Sequence, residues 1–219
     1  MDLVAVFKLL GITKNYSDLN LSALEVDLQG WNSKHPIFRK VFEASKAQLV
    51  IEVGTWKGAS LVHMHRVSRE LGLSTQFISV DTWLGSNTEI WLNPALRPSL
   101  LLRHGYPRMF FQFLRNMQHA EILDDVFPLP MTSTSAAHLL KRLGIQADAI
   151  YIDAGHHEEE VLLDLRLYNE VLRPGGILFG DDYHESWPGV VRAVDSFAAE
   201  RGYPLQISSP KFMMVKLPE

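Results

Sequence analysis

Short runs of apolar and β-branched residues recur along this chain, and most of them stop at a glycine or an acid before helical patterning begins. Leu49-Val50-Ile51-Glu52-Val53 ends at Gly54, and helical spacing follows over residues 59–71. Gln76-Phe77-Ile78-Ser79-Val80-Asp81 is a second run. A third lies within residues 122–131, where Pro128 and Pro130 do not suit a central strand. Ala149-Ile150-Tyr151-Ile152-Asp153 is the fourth. The helix expected after it, from about Glu158 to Leu172, keeps Val161, Leu165, Tyr168 and Leu172 on one face and places Glu158, Glu159 and Glu160 in its first turn. Arg173-Pro174-Gly175-Gly176 stops that helix and turns the chain into Ile177-Leu178-Phe179-Gly180. A further helix carries Val190, Val191, Val194, Phe197 and Ala198, and residues 205–208 and 212–216 read as a closing antiparallel hairpin. Such alternation predicts a mostly parallel sheet with helices on both faces. Ligands of such sheets bind at the carboxyl ends of the strands. Here those ends carry Glu52-Val53-Gly54, Asp81, Asp153 and Asp181-Asp182.

The flanks read differently. Residues 1–48 are expected to be helices and turns packed on a core domain of residues 49–219. Ser22-Ala23-Leu24-Glu25 has the form of a capping box, and His35-Pro36 opens a helix reaching Ala44. The same segment could instead pack on a second copy, which leaves a homo-oligomer open. Residues 83–118 are rich in Trp, Phe, Leu, Arg and Pro and are too long for a plain loop, so a helical lid is expected there.

Bulk properties narrow the function classes. The 219 residues suit one large domain. A net charge of −4 gives no general attraction to nucleic acid or anionic membranes, so a small molecule is the expected partner. The absence of cysteine excludes disulfides, thiolate metal sites and a cysteine nucleophile. Asp2 stands where a signal peptide wants positive charge, and no window approaches the ~20 apolar residues of a membrane span, so a cytoplasmic location is expected.

The loop Glu52-Val53-Gly54-Thr55-Trp56-Lys57-Gly58-Ala59-Ser60 turns a strand into a helix whose first N–H groups can meet an anion. Trp56 occupies the place of the middle glycine of a dinucleotide fingerprint and would block a pyrophosphate. A ligand with a carboxylate and a flat, bulky body suits the loop better, and Asp81 can accept the hydroxyls of a ribose.

These features resemble a known family. Glu-x-Gly-x-x-x-Gly-x-Ser on the first strand–helix turn is similar to the motif of the catechol O-methyltransferase group of class I S-adenosylmethionine-dependent methyltransferases. Val80-Asp81-Thr82-Trp83-Leu84-Gly85-Ser86, Asp153-Ala154-Gly155-His156 and the stretch from Leu172-Arg173-Pro174-Gly175-Gly176 to Gly180-Asp181-Asp182-Tyr183 resemble the bacterial family called methyltransferase domain 24. The resemblance spans roughly residues 35 to 200. It implies a Rossmann-like α/β fold with a seven-stranded, mostly parallel sheet, and S-adenosylmethionine as cofactor. Glu52 and Gly54 would lie near its methionine portion, Ser60 would hold its carboxylate and Trp56 would pack beside it. Asp81 would take the ribose, and Thr82 and Ser133 would lie near the adenine. Thr55, Gly58 and Asp153 complete the implied cofactor contacts.

Asp153, Asp181 and Asp182 should share one crevice. Three uncompensated anions there would raise one another's pKa, and a hard divalent cation such as Mg²⁺ would remove that conflict. The resemblance agrees, since metal-dependent relatives place their ligands at these positions. Helix capping explains these acids poorly, because a cap must adjoin the first turn. His156 stands where the catechol enzymes carry a lysine base, and imidazole can take a hydroxyl proton. The expected activity is metal-assisted O-methylation of a sugar, polyketide or aromatic diol, with His156 and Asp153 as catalytic residues. A nicotinamide-dependent oxidoreductase, a non-catalytic cofactor-binding relative and N-methylation are the alternatives.

Overall fold

The computed structural model describes residues 2–12, 16, 18–85 and 88–218; Met1, and Ser86 at the end of the second motif, lie outside the described residues. The strands are β1 (Leu49–Val53), β2 (Gln76–Asp81), β3 (Val126–Pro130), β4 (Ala147–Ile152), β5 (Leu172–Gly180), β6 (Leu205–Ser208) and β7 (Lys211–Val215). They form one seven-stranded sheet in the order β3-β2-β1-β4-β5-β7-β6. The first five are parallel to their neighbours, and β7 runs antiparallel between β5 and β6. β3 lies at the edge, where Pro128 and Pro130 interrupt no ladder on their free side. The chain builds outward from β1 to β3 and then returns to place β4 on the other side of β1, which makes the β1/β4 boundary the switch point.

The helices are α1 (Leu3–Leu9), α2 (Ile37–Ser45), α3 (Ala59–Glu70), α4 (Thr88–Leu92), α5 (Met109–His119), α6 (Ser133–Arg142), α7 (Glu158–Glu170) and α8 (Pro188–Arg201). Successive strand residues point to opposite faces, so each strand feeds two cores. Ile51, Val53, Ile78 and Ile150 pack with α1, α6, α7 and α8. Val50, Phe77, Ala149, Tyr151 and Phe179 pack with α2, α3 and α5. Leu3 and Phe7 of α1 are buried, and the Phe7 ring lies 5.0 Å from that of Phe127 on β3.

Three local expectations change. Ser22-Ala23-Leu24-Glu25 caps no α-helix; a 3₁₀ turn at Leu21–Ala23 leads into an extended strap. The strap carbonyls are held by α5 instead: Arg115 Nε donates to Leu24 O at 3.1 Å and Gln112 Nε2 to Glu25 O at 2.9 Å. Arg173-Pro174-Gly175-Gly176 is not a separate turn but the start of β5, with a register shift against β4. Lys216 closes the preceding helix by donating to Asn169 O and Leu172 O at 2.8 and 2.9 Å. Finally, the described part of residues 83–118 is only partly helical, with α4, a 3₁₀ turn at Arg97–Leu100 and α5 separated by loop and an isolated bridge between Arg103 and Tyr106, and it divides in two. Trp83, Met109, Phe113, Leu114 and Met117 are core, whereas Leu84, Trp91, Leu92 and Tyr106 remain exposed.

Candidate active site

Four strand tips are stitched side by side. Gly54 N donates to Val80 O at 2.9 Å, Asp153 N to Val53 O at 2.8 Å, and Asp181 N to Ile152 O at 3.1 Å. The residues that follow each strand, Thr82, Gly54, Asp153 and Asp181, therefore share one rim. Gly54 has φ +84°, and a Cβ there would collide with the Asp153 carbonyl, so only glycine lets the β1 turn lie against the β4 turn.

The β1–α3 loop is organised around Asp81. One carboxylate oxygen accepts from Trp56 N at 2.8 Å and the other from Trp83 N at 2.7 Å. Enclosure raises the Asp81 pKa even though these N–H groups favour the carboxylate. The Thr55 and Thr82 N–H groups also act on this carboxylate, so the loop backbone converges on it from both sides. Trp56 adopts a left-handed φ of +53°, accepts from Trp83 Nε1 at 2.9 Å through its carbonyl, and turns its ring to Trp31 at 6.0 Å. Gly58 is the left-handed N-cap of α3, and a Cβ on it would strike Met117. Ser60 donates to Glu52 Oε1, so its hydroxyl is engaged within the loop rather than free. Glu52 is fully buried and its pKa is pushed well up by that burial. Among the described residues, Glu52 Oε2 and Thr55 Oγ1 are buried without a hydrogen-bond partner.

The adenine-side expectations are partly committed elsewhere. Thr82 Oγ1 accepts from Leu84 N at 3.2 Å. Ser133 opens α6, with its carbonyl taking the Tyr168 hydroxyl at 2.9 Å and its side chain hydrogen-bonded to Asp164.

The acid rim continues from this loop. Tyr151 donates to Asp153 Oδ2 at 3.0 Å and lies 3.2 Å from Asp181 Oδ2. The Lys211 ammonium, fully buried, contacts Asp181 Oδ2 and lies 2.5 Å from the Tyr151 hydroxyl. Asp181 Oδ1 accepts from Asp182 N at 2.8 Å and from Asn32 Nδ2 at 3.4 Å. Asp182, at φ +63°, faces His156 Nε2 at 2.9 Å, and the His156 ring stacks on Trp187 at 4.1 Å. Burial alone would lower the His156 pKa; its hydrogen bond to Asp182 and that residue's charge outweigh burial and hold the pKa above its ordinary value. Burial, reinforced by Asp181, pushes Asp153 up to about 7. This arrangement sets the β1–α3 loop one strand away from an acid whose pKa lies near neutrality.

A family model described as a methyltransferase domain matches residues 51–183, which contain this loop and the whole acid rim. The chain belongs to this methyltransferase family. Among solved structures, the methyltransferase is similar in fold to the O-methyltransferase NovP, at 17% identity over 85% of this chain and 80% of that one, with a TM-score of 0.64. It also resembles an O-methyltransferase from Bacillus cereus in complex with SAH (15% identity, 99% and 97% covered, TM-score 0.57). A third is the O-methyltransferase TomG from Streptomyces achromogenes, involved in tomaymycin synthesis and in complex with SAM (11%, 99% and 96%, TM-score 0.58). A search of the curated proteins finds no match.

The expected Mg²⁺ ligands of the methyltransferase share a rim without forming a ligand set. An octahedral ion needs carboxylate oxygens free to converge on it, with waters completing the shell. Here both Asp181 oxygens are taken by hydrogen-bond donors, and Asp182 is turned to His156. Among the described residues no three His, Asp or Glu side chains are grouped to hold an ion. The charge conflict that argued for a metal is met by Lys211 and His156 instead. The residues do not fit the ion.

Several members of the site escaped the strand-end pattern. Lys211 opens β7, far along the chain from the acids it meets, and its one signal is a lysine heading an apolar strand. Tyr151 reads as core until its hydroxyl needs a partner. Lys57 is buried and pairs with Asp27 at 2.5 Å, while Asn116 donates to Asp27 O and Lys57 O at 2.7 and 2.8 Å. Those bonds fasten the strap beside the loop, and Gln29 Oε1 receives Trp56 Nε1 at 3.2 Å.

Proposed function

We propose that this methyltransferase transfers a methyl group from S-adenosylmethionine to an oxygen of a small hydroxylated molecule, a sugar, polyketide or aromatic diol. The observation that carries the reading is the contact of the Gly54 turn with the Asp153 turn, which sets the ligand loop beside an acid poised near neutral pH. Glu52, Gly54, Thr55, Trp56, Gly58 and Ser60 would hold the methionine end, with Asp81 on the ribose and Thr82 and Ser133 toward the adenine. The orphaned Glu52 Oε2 and Thr55 Oγ1 fit a ligand with polar groups at this loop. S-adenosylmethionine, when bound, supplies a methyl on a sulfonium.

Asp153 accepts the proton of the acceptor hydroxyl, since a base works best with a pKa near the working pH. Tyr151 fixes its orientation through Oδ2. His156 is paired with Asp182, which favours its protonated form, so its Nε2 is engaged rather than free to act as a base. No step is assigned to Mg²⁺.

Separate calorimetric titrations with S-adenosylhomocysteine and NADH test the cofactor. Binding of the first alone is expected; binding of NADH alone would return the chain to the oxidoreductase reading. Methylation of a panel of diols and sugars, lost in Asp153→Asn, tests the chemistry. Cofactor binding without turnover of any acceptor would instead mark a non-catalytic relative.

A further inference from the structure

Three groups at the rim carry charge that a metal-dependent site would balance with an ion, and one of them has a partner from a distant element. We propose that Lys211 is the resident cation of this acid rim, filling the place that a divalent ion would otherwise occupy, so that the protein neither needs nor binds a metal there. The inference deepens the methyl-transfer reading and rests on it only for the statement that the rim is the active site.

The surroundings of Lys211 are those of an ammonium rather than of a hydrated ion. The side chain has no solvent exposure. Its Nζ meets Asp181 Oδ2 and the Tyr151 hydroxyl, two oxygen acceptors for its three N–H donors. The rings of Phe38 and Tyr151 stand 5.0 and 4.8 Å from the nitrogen, in cation–π range. Aromatic faces stabilise a bare ammonium, and with the Lys211 side chain in place Asp181 Oδ2 is occupied and no room is left for the waters Mg²⁺ keeps. A buried charge survives only when paired and hydrogen-bonded, and Lys211 is both. Through Tyr151, which also donates to Asp153 Oδ2, Lys211 acts on the proton acceptor as a positioning residue. The hairpin that brings β7 beside β5 is what inserts it.

The test is metal binding by the full chain, read without any cofactor. Wild-type protein is titrated with MnCl₂ by electron paramagnetic resonance, and its unfolding temperature is measured with and without millimolar MnCl₂. No stoichiometric Mn²⁺ site and no thermal shift are expected. Lys211→Ala, which removes the charge, frees Asp181 Oδ2 and opens the volume the side chain fills, should acquire a Mn²⁺ site and a rise of about 4 °C or more with the metal. A purely structural lysine would lower the unfolding temperature without creating that response. Stoichiometric Mn²⁺ binding by the wild type, abolished by Asp181→Asn, overturns the proposal, as does a folded Lys211→Ala that ignores Mn²⁺. Should Lys211→Ala not fold, the wild-type titration decides, and the Asp181→Asn/Lys211→Met pair should restore folding by removing both charges. Loss of S-adenosylhomocysteine binding in a parallel titration would strike the methyl-transfer reading and leave the metal result standing.

Discussion

The α-carbon of Gly54 faces the main chain of Asp153, so that a methyl group there would overlap the Asp153 carbonyl and come within 2.7 Å of Ala154 Cα. Backbone cannot retreat as a flexible side chain can, and φ +84° adds strain for any other residue. Gly54→Ala should cost about 3 kcal/mol or more. Gly144 has a similar φ of +68° but open space around a Cβ, so Gly144→Ala should cost only about 1 kcal/mol. Urea unfolding of the two variants checks the difference; equal losses would mean that φ alone governs both.

Asp81 gathers the Trp56 and Trp83 N–H groups at the strand end where the ribose is proposed to sit. Asp81→Asn replaces one acceptor with a donor aimed at N–H groups. Affinity for S-adenosylhomocysteine should fall at least about tenfold, the worth of roughly one lost hydrogen bond to a charged group. Calorimetry reads this directly, and unchanged affinity would remove Asp81 from the cofactor site.

His156 owes its raised pKa to Asp182, against the opposing effect of burial. Asp182→Asn should therefore drop that pKa below its value in the wild type, as followed by NMR of the imidazole protons. A raised folded pKa means stability that is present below about pH 6.5 and lost as pH rises through the folded value. The variant should lack this acid-side stabilisation and match the wild type more closely at pH 9.

Asp164 lies buried on α7, and burial pushes it up to about 6 although a hydrogen bond from Ser133 favours its charged form. The folded state thus holds the proton more tightly than the unfolded chain, and stability falls as pH rises between about 4 and 6. Asp164→Asn should flatten that fall and raise stability at pH 7.5 by about 2 kcal/mol, an order of magnitude set by the shift. Thermal melts across this range would show it; a variant less stable at every pH would mean that Asn cannot keep the Ser133 bond.

Much of this architecture is legible from local pattern. The runs at Leu49–Val53 and Gln76–Asp81 are strands with the expected bounds, and the two prolines of Val126–Pro130 send that strand to the edge. Acids at strand ends pointed to the rim because parallel strands align their carboxyl tips. Where local pattern misled, a distant partner intervened: Glu25 spends its carbonyl on Gln112 rather than on a capped helix, and Trp83 is core beside Phe110 and Phe113 at 4.9 and 4.8 Å.

Periodicity, turn chemistry and the order of motifs are properties of neighbouring residues, and they suffice for the sheet, the ligand loop and the family. How the acids are balanced is a different matter. Like charges brought together by strand pairing demand compensation, but sequence spacing cannot say whether an ion or a side chain supplies it. That was decided by the antiparallel return of β7, which carries the Lys211 ammonium across 30 residues of chain to Asp181, within a buried aromatic wall where such a charge must be paired.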